Sequence, residues 1–351
     1  KKGSKGPVDA SVTTDSHRRF FFFWGLGSRR GRRTKGLRDR RHRRPFVALL
    51  DMGGDLFHWE RVYTLKFSAW IALGFLGARA LANRATAGRL EAYRAKRGIK
   101  VSVDKLQEEI WLVACGAALS ALSGCLLAYG PTFARGCNLL DTSECYSNVG
   151  SSDVPQEIAL YYLTEVGWYL SLILKSLAGV GRGDSFVMEF HHVITLALVI
   201  WSYVTGFTQA IGVLTFFVFN QSNPLLHFSK LANYAEMTRA RCVLFILFAA
   251  VFFVSRVLIL PAVVIRSTLF EMPLAATPEE WSGAVVYTWY TTNALLLALW
   301  ALNVWWLRPI VRVIARNVSG VDQGRPQDDT VTRDGKPSEP AAAAKGYKKK
   351  N

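Results

Sequence analysis

The sequence of 351 residues is poor in cysteine and acidic residues, and it lacks segments of regularly alternating polarity. Five cysteines are too few for a disulfide scaffold in a chain of this length. The absence of ten-residue alternating segments excludes a transmembrane β-barrel. The apolar segments show neither an internal repeat nor a ladder of charges, so the pattern does not favour a transporter or a channel.

Long apolar runs dominate the middle of the chain. A helix needs about 20 apolar residues to cross a hydrocarbon core of about 30 Å. Seven segments have about this length: 62–82, 110–129, 158–180, 186–203, 208–228, 242–265 and 284–307. In lipid every backbone polar group needs an internal partner, which segments rich in Leu, Ala and Phe achieve as helices. The sequence therefore predicts an all-α, polytopic membrane protein with about seven transmembrane helices.

Polar tails flank this apolar core. Residues 1–61 and 311–351 have too little apolar content for a packed core, and we expect both to be mostly disordered. Much of the net charge of +17 lies in the run 29–44, which indicates contact with anionic lipid head groups. No nucleic-acid-binding fold accompanies the run, so no nucleic-acid partner is expected; a solvated tail without a specific role is the alternative.

Loop charges predict the orientation in the membrane. Lys and Arg concentrate after the first, third, fifth and seventh segments, which places those loops and the carboxyl-terminal tail in the cytosol. The run 29–44 indicates the cytosol for the amino-terminal tail too, which conflicts with an odd number of spans. Either the first segment does not cross, or an upstream portion changes the count. Cys137 and Cys145 fall in a lumenal loop, where they either form a disulfide or remain free thiols.

His191 and His192 are adjacent within the apolar segment 186–203. Ionisable groups at membrane depth are costly, and they usually line the interior of a bundle or a wet cavity. Neighbouring residues on a helix point about 100° apart, so the two rings cannot have identical roles. The pair indicates a functional site, and hydrogen bonding between helices is the structural alternative.

Aromatic and polar residues surround the histidines in an ordered spacing. They are Tyr161, Tyr162, Glu165, Trp168, Tyr169, Arg182, Asp184, Met188, His191, His192, Lys230, Leu231, Ala232, Asn233 and Tyr234, followed by Val254, Ser255, Arg256 and Pro261. The series resembles the Lag1 motif of the ceramide synthases, here at about 161–234, within a TRAM, Lag1 and CLN8 homology (TLC) domain. Several matches in the same order are more specific than one short pattern.

The resemblance implies a sphingoid-base N-acyltransferase that uses fatty acyl-CoA. It implies a TLC-type barrel of six helices around a lipid cavity within 108–310, preceded at 62–107 by one more helix and a basic cytosolic loop. The expected partners are fatty acyl-CoA as co-substrate, a sphingoid base, membrane lipids and a second synthase in a homo- or heterodimer, without a bound cofactor or metal. The final lysines, 348–350, look like a dilysine signal for the endoplasmic reticulum membrane.

In this resemblance His191 and His192 match the catalytic pair of the family. A neutral imidazole can accept the proton of the amine or carry the acyl group, and we expect His192 to be the nucleophile. Thr195 lies about one helical turn from both histidines and is expected to orient a ring. Arg182 and Lys230 are expected to bind the phosphates of CoA.

One departure from the family falls on the next predicted helix. The family has a His-Asp-x-x-Asp segment where this chain reads Phe219, Asn220, Gln221, Ser222 and Asn223. An aspartate beside an imidazole fixes its tautomer, and its change to asparagine costs about 10⁴ in turnover in a serine protease. Asn220, Asn223 and His227 follow at i, i+3 and i+7, which predicts one polar helix face that orients substrate. Pro224 is expected to kink or end this helix.

Two functions from different classes remain open at this stage. The intact histidine pair favours an active acyltransferase with altered surroundings, whereas the missing carboxylates favour a catalytically silent homologue that binds lipid or regulates an active synthase. Arg256 is costly within the membrane unless it is paired or near an interface. We expect it to pair with Glu165 or Glu189, and snorkelling to the nearer head groups is the alternative. The adjacent tryptophans at 305 and 306 are expected to form an interfacial aromatic belt.

Overall fold

A computed structural model describes residues 57–130, 133, 136–146, 154–206, 209–275, 283–318 and 330–331. The basic run 29–44 and the terminal lysines therefore lie outside the described residues. The helices are α1 (Trp59–Arg97), α2 (Val103–Tyr129), α3 (Gln156–Leu174), α4 (Phe186–Thr205), α5 (Gln209–Asn220), α6 (Asn223–Tyr234), α7 (Thr238–Phe252), α8 (Met272–Ala275) and α9 (Gly283–Val318). Between α7 and α8 the chain stays helical, with π-type hydrogen bonding over Phe253–Ile265 and Ser267–Glu271. Two short strands, β1 (Gly183–Asp184) and β2 (Thr330–Val331), pair antiparallel.

Five helical stretches are long and apolar enough to cross a membrane. They are Trp59–Arg97, Val103–Tyr129, Phe186–Thr205, Thr238–Ala275 and Val285–Arg316. Each coincides with one of the predicted spans. Large apolar side chains such as Trp70 and Phe67 remain exposed on α1, which suits contact with lipid rather than with water. The described part of the chain is a mostly helical, multi-pass membrane protein.

The other two predicted spans differ from the five. α3 has 19 residues and buries most of its side chains, including the carboxyl group of Glu165, among the other helices. The segment 208–228 is not one helix, because α5 and α6 are separate helices of 12 residues each. Twelve residues span only about 18 Å, less than the thickness of the hydrocarbon core. Pro224 lies in the first turn of α6, where its missing N–H does no harm, so the expected end of the helix at this proline is confirmed.

Several predicted boundaries lie elsewhere in the structure. α1 extends to Arg97, where Gly98 adopts a left-handed conformation (φ 66°) and ends the helix. α9 extends to Val318, beyond the predicted start of the tail at 311, and residues 330–331 pair with β1. Of the two states considered for Cys137 and Cys145, the structure has the disulfide.

Close packing between helices fixes the walls of the interior. α1 packs on α3, α2 packs on α5 and α6, and α4 packs on α3 and α9. Gly167 permits the approach of α1 to α3, because a Cβ at this position would lie 2.6 Å from the side chain of Ile71. Tyr161, Tyr162 and Phe216 form an aromatic cluster between α3 and α5. These contacts hold in place the helix ends from which the polar residues of the site project.

Candidate functional site

A cavity of about 520 Å³ lies within the helical bundle. Its volume falls in the range of about 300–1,000 Å³ that is common for small-molecule sites. Most of its lining is apolar or aromatic. The polar lining residues are Glu109, Lys175, Asp184, Ser185, His191, His192, Asn220, Asn223, His227, Lys230 and Arg256. The cavity thus brings together seven of the nine predicted site residues, and it leaves out Thr195 and Arg182.

His192 faces a carboxylate that the sequence did not assign to the site. Its Nε2 atom lies 3.4 Å from Oδ2 of Asp184. This distance exceeds that of an ordinary hydrogen bond, and such contacts are often long before substrate binds. The Nδ1 atom of His192 is buried without a hydrogen-bond partner among the described residues. A proton held on Nε2 by Asp184 leaves the Nδ1 lone pair available for chemistry.

His191 has a different environment from its neighbour. Its ring lies edge-on to the indole of Trp306, with a centroid distance of 5.1 Å. Trp306, which the sequence predicts in an aromatic belt, also lines the cavity. The hydroxyl of Thr195 donates to the backbone carbonyl of His191 at 2.8 Å, so its proton does not orient either ring. Thr195 lines a second cavity of about 40 Å³ instead.

A buried network of charges holds Asp184. Nζ of Lys175 lies 3.0 Å from Oδ2 of Asp184 and 2.9 Å from Oε1 of Glu108. Glu108 also accepts hydrogen bonds from the Arg79 guanidinium and from the backbone N–H of Arg182. Burial alone would raise the pKa of Asp184, but Lys175 and then His192 hold it well below its usual range. The carboxylate therefore stays charged throughout the neutral pH range.

Removal of Glu108 is expected to destabilise the fold. In a Glu108→Leu variant the cations of Arg79 and Lys175 lose their shared anion in a buried site, which costs about 3–5 kcal/mol. We expect a lower midpoint of thermal unfolding in detergent, measured by fluorescence-detected size exclusion. Glu91→Leu is the control, because Glu91 pairs with Arg94 on an exposed surface where such pairs contribute little. Equal midpoints for the two variants would contradict the proposed importance of the network.

The amides at 220 and 223 have separate partners. Asn220 donates to Oε1 of Glu165 at 2.9 Å, and Tyr161 donates to the same oxygen at 2.6 Å. Asn223 accepts from the guanidinium of Arg256. The predicted pairing of Arg256 with Glu165 or Glu189 is therefore wrong, because this arginine bonds Asn223 and the carbonyl of Phe219 instead. The single helix face predicted from the spacing is wrong as well, since the break before Asn223 separates two helices.

α6 supplies a third imidazole to the cavity. Nδ1 of His227 lies 2.6 Å from Oε2 of Glu109 on α2. Lys230 follows one turn later, and its Nζ lies 3.7 Å from the other oxygen of Glu109. Lys230 is buried, so binding a phosphate of CoA would require it to leave Glu109. Arg182 is half-buried next to β1 and does not line the cavity.

Sequence reasoning missed the residues that come from other segments of the chain. Asp184 belonged to the recognised motif but received no role, while Glu109 and Glu108 were not considered as part of the site. Two adjacent glutamates in the first turns of an apolar helix were the available signal, because buried carboxylates need partners. Which partners they have depends on the packing of α2 against α6, which no short motif encodes.

Comparison with known proteins identifies the class to which this fold and cavity belong. The family model described as TLC domain (TRAM, LAG1, CLN8) matches residues 105–312, which contain every lining residue of the large cavity except Val313. Helix α1, which supplies Arg79 to the charge network, lies outside the match. The chain belongs to the TLC-domain family, in its ceramide synthase branch.

Individual relatives are similar over different shares of their length. Ceramide synthase 5 of Mus musculus is 34% identical over 197 residues, which are 56% of this chain and 45% of that protein. Ceramide synthase 4 of Homo sapiens is 28% identical over 202 residues, 57% of this chain and 48% of that protein. Ceramide synthase LOH2 of Arabidopsis thaliana is 25% identical over 266 residues, 73% of this chain and 87% of that protein. The chain thus spans about half the length of the mammalian relatives it matches.

Proposed function

We propose that the chain is a sphingoid-base N-acyltransferase, which transfers a fatty acyl group from acyl-CoA to the amine of a sphingoid base. The observation that carries the proposal is the approach of Nε2 of His192 to Asp184, at 3.4 Å, inside a largely apolar cavity. The family's carboxylates at 220 and 223 are amides here, but Asp184 gives the imidazole an anionic partner from another segment. A ceramide synthase fold with this pair retains the groups that acyl transfer requires.

The chemistry follows from the tautomer that Asp184 favours. With the proton on Nε2, the Nδ1 lone pair of His192 attacks the thioester carbon, the C–S bond breaks, and the CoA thiolate leaves. Asp184 stabilises the positive charge that develops on the ring. The neutral amine then attacks the acyl carbon, the bond from carbon to Nδ1 breaks, and the amide forms as a proton of the amine passes to His192. His192 returns to its starting state when it gives this proton to the CoA thiolate.

The wider assignment rests on the family. We infer seven transmembrane helices, with α5 and α6 together as one span, six of which form a barrel around the cavity. Acyl-CoA approaches from the cytosolic side, where α3 and α6 end and α4 begins, and Arg182 binds its phosphates. The same proposal includes residence in the endoplasmic reticulum membrane, pairing with a second synthase subunit and a Lag1 motif at 161–234.

An activity assay tests the proposed function. Membranes from a host without its own ceramide synthases, expressing this chain, are supplied with palmitoyl-CoA and sphinganine. We expect an amide product that is absent from the His192→Ala control, because alanine can neither carry the acyl group nor accept a proton. Product at or below the level of that control would reject the acyltransferase.

A silent homologue is the second candidate, and it is favoured by one observation. Asn220 and Asn223 are both occupied by structural partners, Glu165 and Arg256, and neither presents a charge to the cavity. In that case the chain binds lipid or regulates an active synthase. Two results together would support this function over catalysis. The chain would co-purify with an active synthase and change the activity of that partner, and the isolated chain would show no activity of its own.

A further inference from the structure

A second carboxylate and imidazole meet in the same cavity, on different helices from His192 and Asp184. Glu109 is 2% exposed and lies on α2, while His227 lies on α6. Oε2 of Glu109 and Nδ1 of His227 are 2.6 Å apart, which is a short charge-assisted contact. Both side chains line the cavity. The pair has the composition of a general base with its orienting acid.

The distribution of charge around the cavity singles out this pair. Among the described residues that line the cavity, the carboxylates are Glu109 and Asp184. Asp184 is held by Lys175 and serves His192. Asn220 and Asn223 line the same space without charge. Glu109 is therefore the anionic group that remains for a second task in this cavity.

The geometry also fixes which nitrogen of His227 is available. A carboxylate at Nδ1 accepts the proton of that nitrogen, so the lone pair stays on Nε2. Lys230, at 3.7 Å from the other oxygen of Glu109, offsets part of the negative charge. On α7, Arg241 donates a hydrogen bond to Asn233 of α6 at 3.1 Å.

We propose that Glu109 and His227 form the site that receives the amine of the long-chain base, an inference that rests on the proposed acyltransferase function. A long-chain base carries a protonated amine at neutral pH, and a protonated amine has no lone pair for attack. Nε2 of His227 accepts one proton from the ammonium group, and Glu109 stabilises the imidazolium that results. The freed nitrogen forms its bond to the acyl carbon, while the bond from that carbon to its carrier breaks. The carrier takes the second proton of the amine.

This assignment gives the two histidine sites separate tasks. His192 with Asp184 handles the acyl group, and His227 with Glu109 handles the amine. The carboxylates missing at 220 and 223 are then replaced in function by a carboxylate on α2. A purely structural role is the rival explanation, in which the pair only joins α2 to α6.

A variant that preserves the contact but removes the base separates these two roles. In His227→Gln the side-chain amide can still donate to Glu109, but it cannot accept a proton at neutral pH. We expect amide formation to fall about 10²- to 10⁴-fold, the usual contribution of a general base. The rise of the wild-type rate with pH should disappear, whereas the thermal midpoint should remain close to that of wild type. His58→Gln, at the start of α1, is the matched control and should keep both rate and pH profile.

Binding measurements distinguish failure of this inference from failure of the proposed function. Sphinganine should raise the thermal midpoint of the purified wild-type chain more than a long-chain 1,3-diol of equal length without the amine, and Glu109→Gln should abolish the difference. If the wild-type chain forms no amide but is stabilised more by sphinganine than by the diol, and Glu109→Gln abolishes that difference, the amine site is supported and the acyltransferase function is rejected. If the chain forms amide while His227→Gln keeps the wild-type rate and pH profile, the inference is overturned. Equal stabilisation of the wild-type chain by the two compounds would also overturn it, whether or not the variants fold.

Discussion

Replacement of Asp184 by asparagine is expected to lower turnover about 10⁴-fold, as the loss of the orienting aspartate does in a serine protease. The amide keeps the shape of the side chain, but it carries no charge and can hold His192 in the wrong tautomer. The measurement is kcat for amide formation from palmitoyl-CoA and sphinganine. Lys175 keeps Glu108 as a partner in this variant, so the fold should survive.

A matched substitution keeps the test specific. Asp104 lies in the first turn of α2 and is exposed, so Asp104→Asn changes the same functional group away from the cavity. Its effect should be limited to a small loss of stability from the helix dipole. A loss of turnover below tenfold in Asp184→Asn would show that the contact at 3.4 Å does not tighten during catalysis. The role of Asp184 would then have to be given up.

The sequence predicts the helical class well because apolar length is a local property. Five apolar segments correspond to helices that can cross a membrane, and the break at Pro224 follows from the chemistry of proline. The position of His191 and His192 on an apolar helix could likewise be read directly. These features depend on residues that are close together along the chain.

Contacts between distant segments could not be predicted in the same way. Arg256 was expected to bond a carboxylate because a buried cation needs an anion, but amide and carbonyl oxygens accept its hydrogen bonds instead. Glu109 and His227 are 118 positions apart, and their contact depends on how α2 and α6 pack. The absence of carboxylates at 220 and 223 suggested a silent enzyme, but the anion that faces His192 comes from another segment of the chain. Tertiary packing therefore determines the electrostatics of this site, whereas local pattern determines its helices.

The two asparagines should respond in opposite ways to the same substitution. In Asn220→Asp a carboxylate replaces the donor that faces Oε1 of Glu165 at 2.9 Å, and two acidic groups then meet in a buried site. An uncompensated buried charge of this kind costs about 3–5 kcal/mol. In Asn223→Asp the new carboxylate faces the guanidinium of Arg256 and gains a charged partner. We expect the thermal midpoint in detergent to fall strongly for the first variant and to hold or rise for the second.

A compensating change shows whether the contact with Glu165 is the cause. In the double variant Asn220→Asp with Glu165→Gln, the amide and the carboxylate exchange places, so one donor again faces one acidic oxygen. Most of the lost stability should return, with a coupling energy of about 1–3 kcal/mol, because residues in direct contact are not additive. The single variant Glu165→Gln should cost only about 1 kcal/mol, since two amides can still hydrogen-bond. Additive losses in the double variant would mean that residue 220 acts through another neighbour. The buried Glu165 of α3 would then not explain why this chain has asparagine at 220, where the family has a carboxylate.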